Sequence, residues 1–360
     1  MEENIVSNID DKPEIEAIKL TIDDLSLSPE RFSVNGKKAN LMSGWTWGLM
    51  QENPDQPFKI HMREFKKEGL NMNYGISQMS DTPTKKPIGL QHCLEMFPAN
   101  HPEANPDVPF PGDDRPQYVK IEGDPEGLTD DPYTFEIHAS TPKLLYRFSS
   151  KHARAVEGDF MDLTYDLMPY AMVLNANGPL GHPYVHQHAV IHGTYEGRKV
   201  SYVGAWDRMY DMKFEQAFQG TIFAAMSFAG VHTDGTREWG MVARVGDNRG
   251  FGYYCKDGEE PVVSIDVDIE ANWVPLPYLD DGTMVLTDAT YRFKNKTIHY
   301  KAKWGTKGQN YQPLPWSGFS GTGGVWYEGD FPCKFEKSFA WSENHNALAE
   351  NIISAGFEIK

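Results

Sequence analysis

Val262-Val263-Ser264-Ile265-Asp266-Val267-Asp268-Ile269-Glu270 alternates without a break: Val263, Ile265, Val267 and Ile269 fall on one side of an extended chain, Ser264, Asp266, Asp268 and Glu270 on the other. Successive side chains of a strand point to opposite faces, so the stretch predicts a half-buried antiparallel strand with one wet face. Downstream, Met284 to Phe293 and Thr297 to Trp304 form a hairpin around Lys294-Asn295-Lys296, the second strand aligning Ile298, Tyr300, Ala302 and Trp304. Tyr133/Phe135/Ile137 and Met161/Leu163/Tyr165/Leu167 repeat the period of two in the first half, and Phe58 to Phe65 does so less cleanly. Between such runs stand Asn35-Gly36, Glu196-Gly197, Asp234-Gly235, Asp257-Gly258, Asp281-Gly282 and Glu328-Gly329, pairs suited to tight hairpin turns. The pattern is that of an all-β chain in which hairpin follows hairpin.

Length and composition agree. At 360 residues the chain exceeds one ordinary domain, and its 19 Phe, 17 Tyr and 9 Trp favour pleated surfaces over helices. The turn-rich Asn175-Ala176-Asn177-Gly178-Pro179-Leu180-Gly181 is read as the division, giving an acidic tail over 1–30, a first domain over 31–178 and a second over 179–360. Asp81 to Pro132 is rich in Pro, Asp and Gly and reads as long loops. One helix is expected, Asn346 to Ile353, with Asn344 as its cap.

Asp+Glu total 51 against 34 Lys+Arg, a formal charge of −17 that repels phosphate backbones and anionic lipid surfaces, so no nucleic-acid partner is expected. No apolar run approaches the length of a membrane span, and the N-terminus lacks a signal-peptide pattern, so no membrane insertion is expected. Cys93, Cys255 and Cys333 are odd in number and form no CxxC pair, which fits a reducing compartment, with the cytoplasm as the simplest address.

The chemistry concentrates in His182-Pro183-Tyr184-Val185-His186-Gln187-His188-Ala189-Val190-Ile191-His192, which holds four of the 12 histidines. On a strand His186, His188 and His192 share a face. Three readings stand: proton transfer or hydrogen bonding in a pocket, a zinc or iron site, or ordinary surface and core histidines. The nearby acid that a cupin-like HxH site uses is missing, Glu196 being the first after His188, so no bound metal is expected.

Beyond the Glu196-Gly197 turn, His192-Gly193…Gly197…Gly204-Ala205-Trp206-Asp207-Arg208-Met209-Tyr210 resembles the signature of the hydroxyneurosporene synthase (carotenoid 1,2-hydratase) and AttH-like families. The similarity runs on through Trp239-Gly240-Met241 and Pro275 to Gly282, ending near Gly323 to Glu328. The resemblance implies two consecutive lipocalin-like (calycin-type) antiparallel β-barrels and a cofactor-independent hydratase, lyase or isomerase acting on a small hydrophobic, terpenoid- or polyketide-like substrate. Such chemistry needs a proton donor, aromatic faces and a group that places water. Asp207 is the candidate acid and His186 and His188 the water-positioning pair, with Trp206, Tyr202, Tyr210, His192 and Tyr184 as substrate contacts. For Asp207-Arg208 a structural ion pair, and for the aromatics core packing, stand beside those roles. If the Glu196-Gly197 turn folds one strand on the next, His186, His188, Trp206 and Asp207 should line one cavity, a bulge near Gly204 bringing both Trp206 and Asp207 inward. A non-catalytic carrier of a hydrophobic molecule and a histidine-based metal hydrolase or oxygenase are the alternatives. The sequence contains no GxxxxGK[ST], HExxH or GxSxG motif.

Overall fold

The computed structural model describes residues 13–19, 161–210, 222–275, 282–302 and 318–359 apart from 196–197 and 247–248, together with the backbone of 41–50, 59–65, 72–78, 120–121, 133–140, 143–150 and 309–313. The first sheet contains β1 (Ile15–Lys19), β2 (Leu41–Met50), β3 (Lys59–Phe65), β4 (Met72–Gln78), β5 (Lys120–Ile121), β6 (Tyr133–Ser140), β7 (Lys143–Ser150), β8 (Met161–Leu174), β9 (Tyr184–Tyr195) and β10 (Arg198–Tyr210). The second contains β11 (Phe223–His232), β12 (Arg237–Val245), β13 (Arg249–Lys256), β14 (Val262–Ser264), β15 (Asp268–Pro275), β16 (Met284–Phe293), β17 (Lys296–Ala302), β18 (Gln309–Pro313), β19 (Gly318–Glu328) and β20 (Phe335–His345). Among the described residues the only helix is α1 (Ala349–Ser354). The chain is all-β, as its sequence predicts, and neighbouring strands mostly follow one another in the chain. The long-range joins are β2 to β10 and β1 to β8 in the first sheet and β11 to β20 in the second.

Local chemistry explains the turns. Gly235 (φ 87) and Gly258 (φ 81) supply the left-handed backbone that their hairpins need. The Asn35-Gly36 and Glu196-Gly197 turns, most of the Asp81 to Pro132 loops and Cys93 lie outside the described residues.

Four expectations need correction. The strand read across 262–270 is interrupted: Ser264 Oγ accepts the Asp266 N–H (3.0 Å) and donates to the Asp266 carbonyl (2.9 Å), a local turn that ends β14 and leaves Ile265 exposed. The turn at 175–181 is a hairpin connection and not a division, since the Asn175 carbonyl accepts from Gly178 N–H (2.9 Å) and β9 returns antiparallel to β8. The chain passes to the second sheet only between Tyr210 and Phe223. Within the acidic tail, Ile15-Glu16-Ala17-Ile18-Lys19 forms β1 and pairs with β8, burying Ile15. Helix α1 starts after Leu348 without a side-chain cap, and Asn344 lies buried in β20.

Among the described residues two apolar clusters form the core. One lies within the second sheet and collects Met226, Phe228, Trp273, Tyr291 and Trp326. The other joins the two sheets: Met168, Met172, Tyr184, Val203 and Ala205 from the first pack with Phe223, Trp239, Met241, Tyr253 and Trp341 from the second. Polar anchors pin this seam. Trp239 Nε1–H donates to Tyr253 Oη (2.8 Å) and to the Tyr170 carbonyl (3.2 Å), which also accepts from the Tyr253 hydroxyl (2.8 Å). A carbonyl of the first sheet thus takes its bonds from buried groups of the second.

Candidate active site

The β9/β10 hairpin sets the site. Its register pairs Tyr184 with Met209, His186 with Asp207, His188 with Ala205 and Val190 with Val203, in one unbroken ladder from Arg198 to Met209. Cross-strand partners share a face, so these residues form one surface. That surface faces the second sheet, where Phe223, Ala225 and Ser227 of β11 pair with His345, Glu343 and Trp341 of β20 and Met241 of β12 pairs with Ser227. Between them lies a cavity of about 60 Å³ lined by Tyr184, His186, Asp207, Ser227, Glu343 and His345 together with apolar neighbours including Phe223, Met241 and Trp341.

A line of hydrogen bonds crosses this seam. His186 Nδ1 bonds to Asp207 Oδ1. His186 Nε2 lies 2.8 Å from Ser227 Oγ, and His188 Nε2 lies 3.0 Å from the same oxygen and 3.2 Å from His186 Nε2. The Tyr184 hydroxyl is 3.1 Å from His186 Nδ1 and 3.6 Å from the Met241 sulfur. The partners assign the protons. A carboxylate accepts, so His186 carries its hydrogen on Nδ1 and leaves Nε2 to accept from the Ser227 hydroxyl. Ser227 Oγ then accepts from His188 Nε2–H. The donors run from His188 to Ser227 to His186 to Asp207.

Burial shapes the charge states. His186 and His188 are about 1% and 0% exposed. Loss of hydration, reinforced by the neighbouring His186, holds the His188 imidazole well below the ordinary histidine range, so it is neutral. Its Nδ1 is buried with no hydrogen-bond partner, which fits a bare lone pair there and the proton on Nε2. Burial, then the Asp207 charge and hydrogen bond, then the Glu343 charge, raise the Tyr184 phenol well above its usual range. It keeps its proton and is a donor. On the far wall His345 Nε2 lies 3.0 Å from Glu343 Oε1.

Of the residues singled out from sequence, Asp207, His186, His188 and Tyr184 come together. Tyr202 pairs with Ile191 and Trp206 with Gln187, the alternate positions of the ladder, so both register on the opposite face. No bulge occurs near Gly204 in this ladder to turn Trp206 inward. His192 pairs with Ser201 and is exposed, away from the cavity. The side chains of Trp206 and Tyr210 lie outside the described residues. Ser227, Glu343 and His345 were not anticipated. Their period-two placement in Phe223-Ala-Ala-Met-Ser227 and Trp341-Ser-Glu343-Asn-His345 was visible, but nothing in the sequence says which sheet faces which.

Among the described residues no group of three or more His, Cys, Asp or Glu is arranged to hold a metal ion, and no helix is long and apolar enough to cross a membrane. A buried carboxylate, Glu238, meets His232 Nε2 (2.8 Å), Lys256 Nζ (3.3 Å) and the Tyr254 hydroxyl (2.8 Å). It is a saturated network away from the cavity.

No protein-family model and no curated protein matches the sequence. Among solved structures the chain is similar to an AttH candidate from Nitrosomonas europaea, with 9% identity, a TM-score of 0.45 and coverage of 89% of this chain and 96% of that one. It is also similar to kievitone hydratase from Nectria haematococca (8% identity, TM-score 0.37, 86% and 89% covered) and to CghA (10%, 0.35, 92% and 98%). At these identities the chemistry has to be argued from the chain's own residues.

Proposed function

We propose that the chain is a cofactor-independent acid–base catalyst of the hydratase, lyase or isomerase type, acting on a small, mostly apolar molecule at the seam between the sheets. The observation that supports this most is the pair of buried His186 and half-buried Asp207, directed by its hydrogen bond and opening on a cavity whose other walls include Phe223, Met241 and Trp341. Asp207 holds the Nδ1–H tautomer and favours the imidazolium that forms when Nε2 takes a proton. Tyr184, which keeps its proton, is placed to donate to a developing oxyanion.

This arrangement shifts the role first given to Asp207. It accepts from His186, so it orients and stabilises, and the proton moves through His186 Nε2. A base of that kind suits removal or return of a proton beside a carbonyl better than direct protonation of an isolated alkene. The favoured substrate is therefore an apolar molecule with a polarised double bond, closer to a polyketide than to a plain terpenoid olefin. A cavity of about 60 Å³ holds only the reacting atoms. Met209 and Met241 line it, and their unbranched side chains can re-pack around the rest.

The test is exchange of α-protons of small apolar ketones and enones in D2O, followed by NMR. The wild type should accelerate exchange, and Asp207→Asn and His186→Gln should each lose about 100-fold or more of that acceleration. Equal rates in wild type and both variants would refute the assignment.

A non-catalytic carrier is the second reading, favoured by a cavity of about 1000 Å³ in the second sheet bordered by Ala271, Ala289, Tyr300, Trp326 and Phe357. That size falls in the range of sites for drug-sized ligands. Saturable quenching of tryptophan fluorescence by an apolar ligand, lost in Trp326→Phe and unaffected in His186→Gln, would favour it.

A further inference from the structure

Proton transfer by His186 and Asp207 does not need a hydroxyl at 2.8 Å, yet Ser227 sits there, on a third strand, aligned with both. Asp207 comes from β10, His186 from β9 and Ser227 from β11, and the three meet as carboxylate, imidazole and hydroxyl in hydrogen-bonded series. Ser227 also lines the cavity. Its hydroxyl is therefore beside both a base and a space that can hold a reacting carbon. Ser–His–Asp sites are recognised by this geometry and by roles, not by sequence position, and the lack of a GxSxG elbow does not count against one.

We propose that Ser227 is the nucleophile of an acyl-transfer activity that cleaves esters with a small acyl group. It shares His186 and Asp207 with the function proposed above but does not require that function. Ser227 Oγ bonds to the acyl carbon while its proton passes to His186 Nε2. The carbon–oxygen bond to the leaving group then breaks, and the Nε2 proton goes to the departing oxygen. Water, giving a proton to Nε2, attacks the acyl-Ser227 carbonyl; the carboxylic acid leaves and the proton returns to Oγ. Ester and water become acid and alcohol, with no redox change.

His188 supplies the remaining group. Its Nε2 lies 3.0 Å from Ser227 Oγ, and a neutral imidazole can donate to the oxyanion as the tetrahedral carbon forms. Ser227 lies within the regular ladders of β11 with β12 and β20, which engage the strand's amides, so no backbone oxyanion hole stands ready. Acylation should outpace deacylation and leave the acyl-enzyme to accumulate. The cavity of about 60 Å³ matches a two-carbon acyl group, and a longer one first needs Met209 and Met241 to re-pack, which slows its reaction.

The full chain is incubated with p-nitrophenyl acetate; release of nitrophenolate is followed, and the acetylated site is mapped by peptide mass spectrometry. The expected result is a burst approaching one equivalent with acetyl on Ser227. The burst rate should fall about 100-fold or more in His186→Gln and Asp207→Asn, and p-nitrophenyl butyrate should react much more slowly. Ser227→Ala should lose the burst, and Ser227→Cys, which keeps a nucleophile in place should the alanine variant fail to fold, should carry the acetyl on sulfur. Acetyl only on surface lysines, at equal rates in wild type and variants, overturns the proposal. Wild-type α-proton exchange without Ser227 acetylation overturns this proposal alone; acetylation without exchange overturns the acid–base reading alone.

Discussion

Lowering the pH should cost this protein stability through one residue, His188. It is fully buried, and burial with the adjacent His186 lowers its pKa from the ordinary 6.5. In the folded chain it stays neutral where the unfolded chain has begun to protonate it. Its contribution is whole above pH 6.5, starts to be lost as the pH falls through that value, and is exhausted at the lower folded pKa. Below pH 6.5 the unfolded state gains on the order of 1 kcal/mol per pH unit by protonating this group, for as long as the folded imidazole stays neutral. His188→Gln removes the titration and retains a donor that can reach Ser227. Urea denaturation of wild type and H188Q at about pH 7.5 and pH 5.5, read by tryptophan fluorescence, isolates the effect because every other titrating group is common to both. The stability difference should move by roughly 1 kcal/mol in favour of the glutamine variant at the lower pH. Parallel pH dependences would show that His188 is not held neutral by burial, and the direction assigned to the hydrogen-bond line would fall with it.

Other perturbations test the frame around the site. A Cβ at Gly240 would come within 2.1 Å of the Tyr253 carbonyl oxygen and 2.5 Å of the Phe228 ring, so Gly240→Ala should destabilise by about 1–3 kcal/mol in urea denaturation. Trp239→Phe removes a buried N–H shared between the Tyr170 carbonyl and the Tyr253 hydroxyl, and should cost about 1–3 kcal/mol, with faster hydrogen exchange along β8. Burial pushes the Cys255 thiol up to about 12, so in the native protein it should resist thiol reagents at about pH 8 and react only on unfolding.

How much of this could be read in the sequence depends on the range of the forces. Hairpins at Asp234-Gly235 and Asp257-Gly258 are legible because a positive φ is needed within two residues, and the shared face of His186 and His188 because a strand alternates wherever it lies. That the histidines and Asp207 meet on one face follows from folding one strand back on the next, but the count from the turn puts His188 opposite Trp206 or Asp207, whereas the register pairs His188 with Ala205 and Asp207 with His186. Ser264 hid a break, since its hydroxyl satisfies Asp266 locally while the hydrophobic alternation continues past it. The hairpin at 175–181 looked like a linker because both are built from Asn, Gly and Pro. Ser227, Glu343 and His345 stayed invisible as site residues. They reach the histidines only through docking of one sheet on the other, which the Trp239, Tyr253 and Tyr170 contacts fix over a long stretch of chain.

The directed line from His188 through Ser227 and His186 to Asp207 is tested most directly by imidazole nitrogen–proton correlation NMR on uniformly labelled protein, assigned with His186→Gln and His188→Gln. His186 should show its proton on Nδ1, in a strong hydrogen bond that is lost in Asp207→Asn. His188 should show its proton on Nε2 and remain neutral below pH 6.5. Two imidazoles that titrate together as free histidine does, with both nitrogens exchanging and no response to Asp207→Asn, would contradict the site as described.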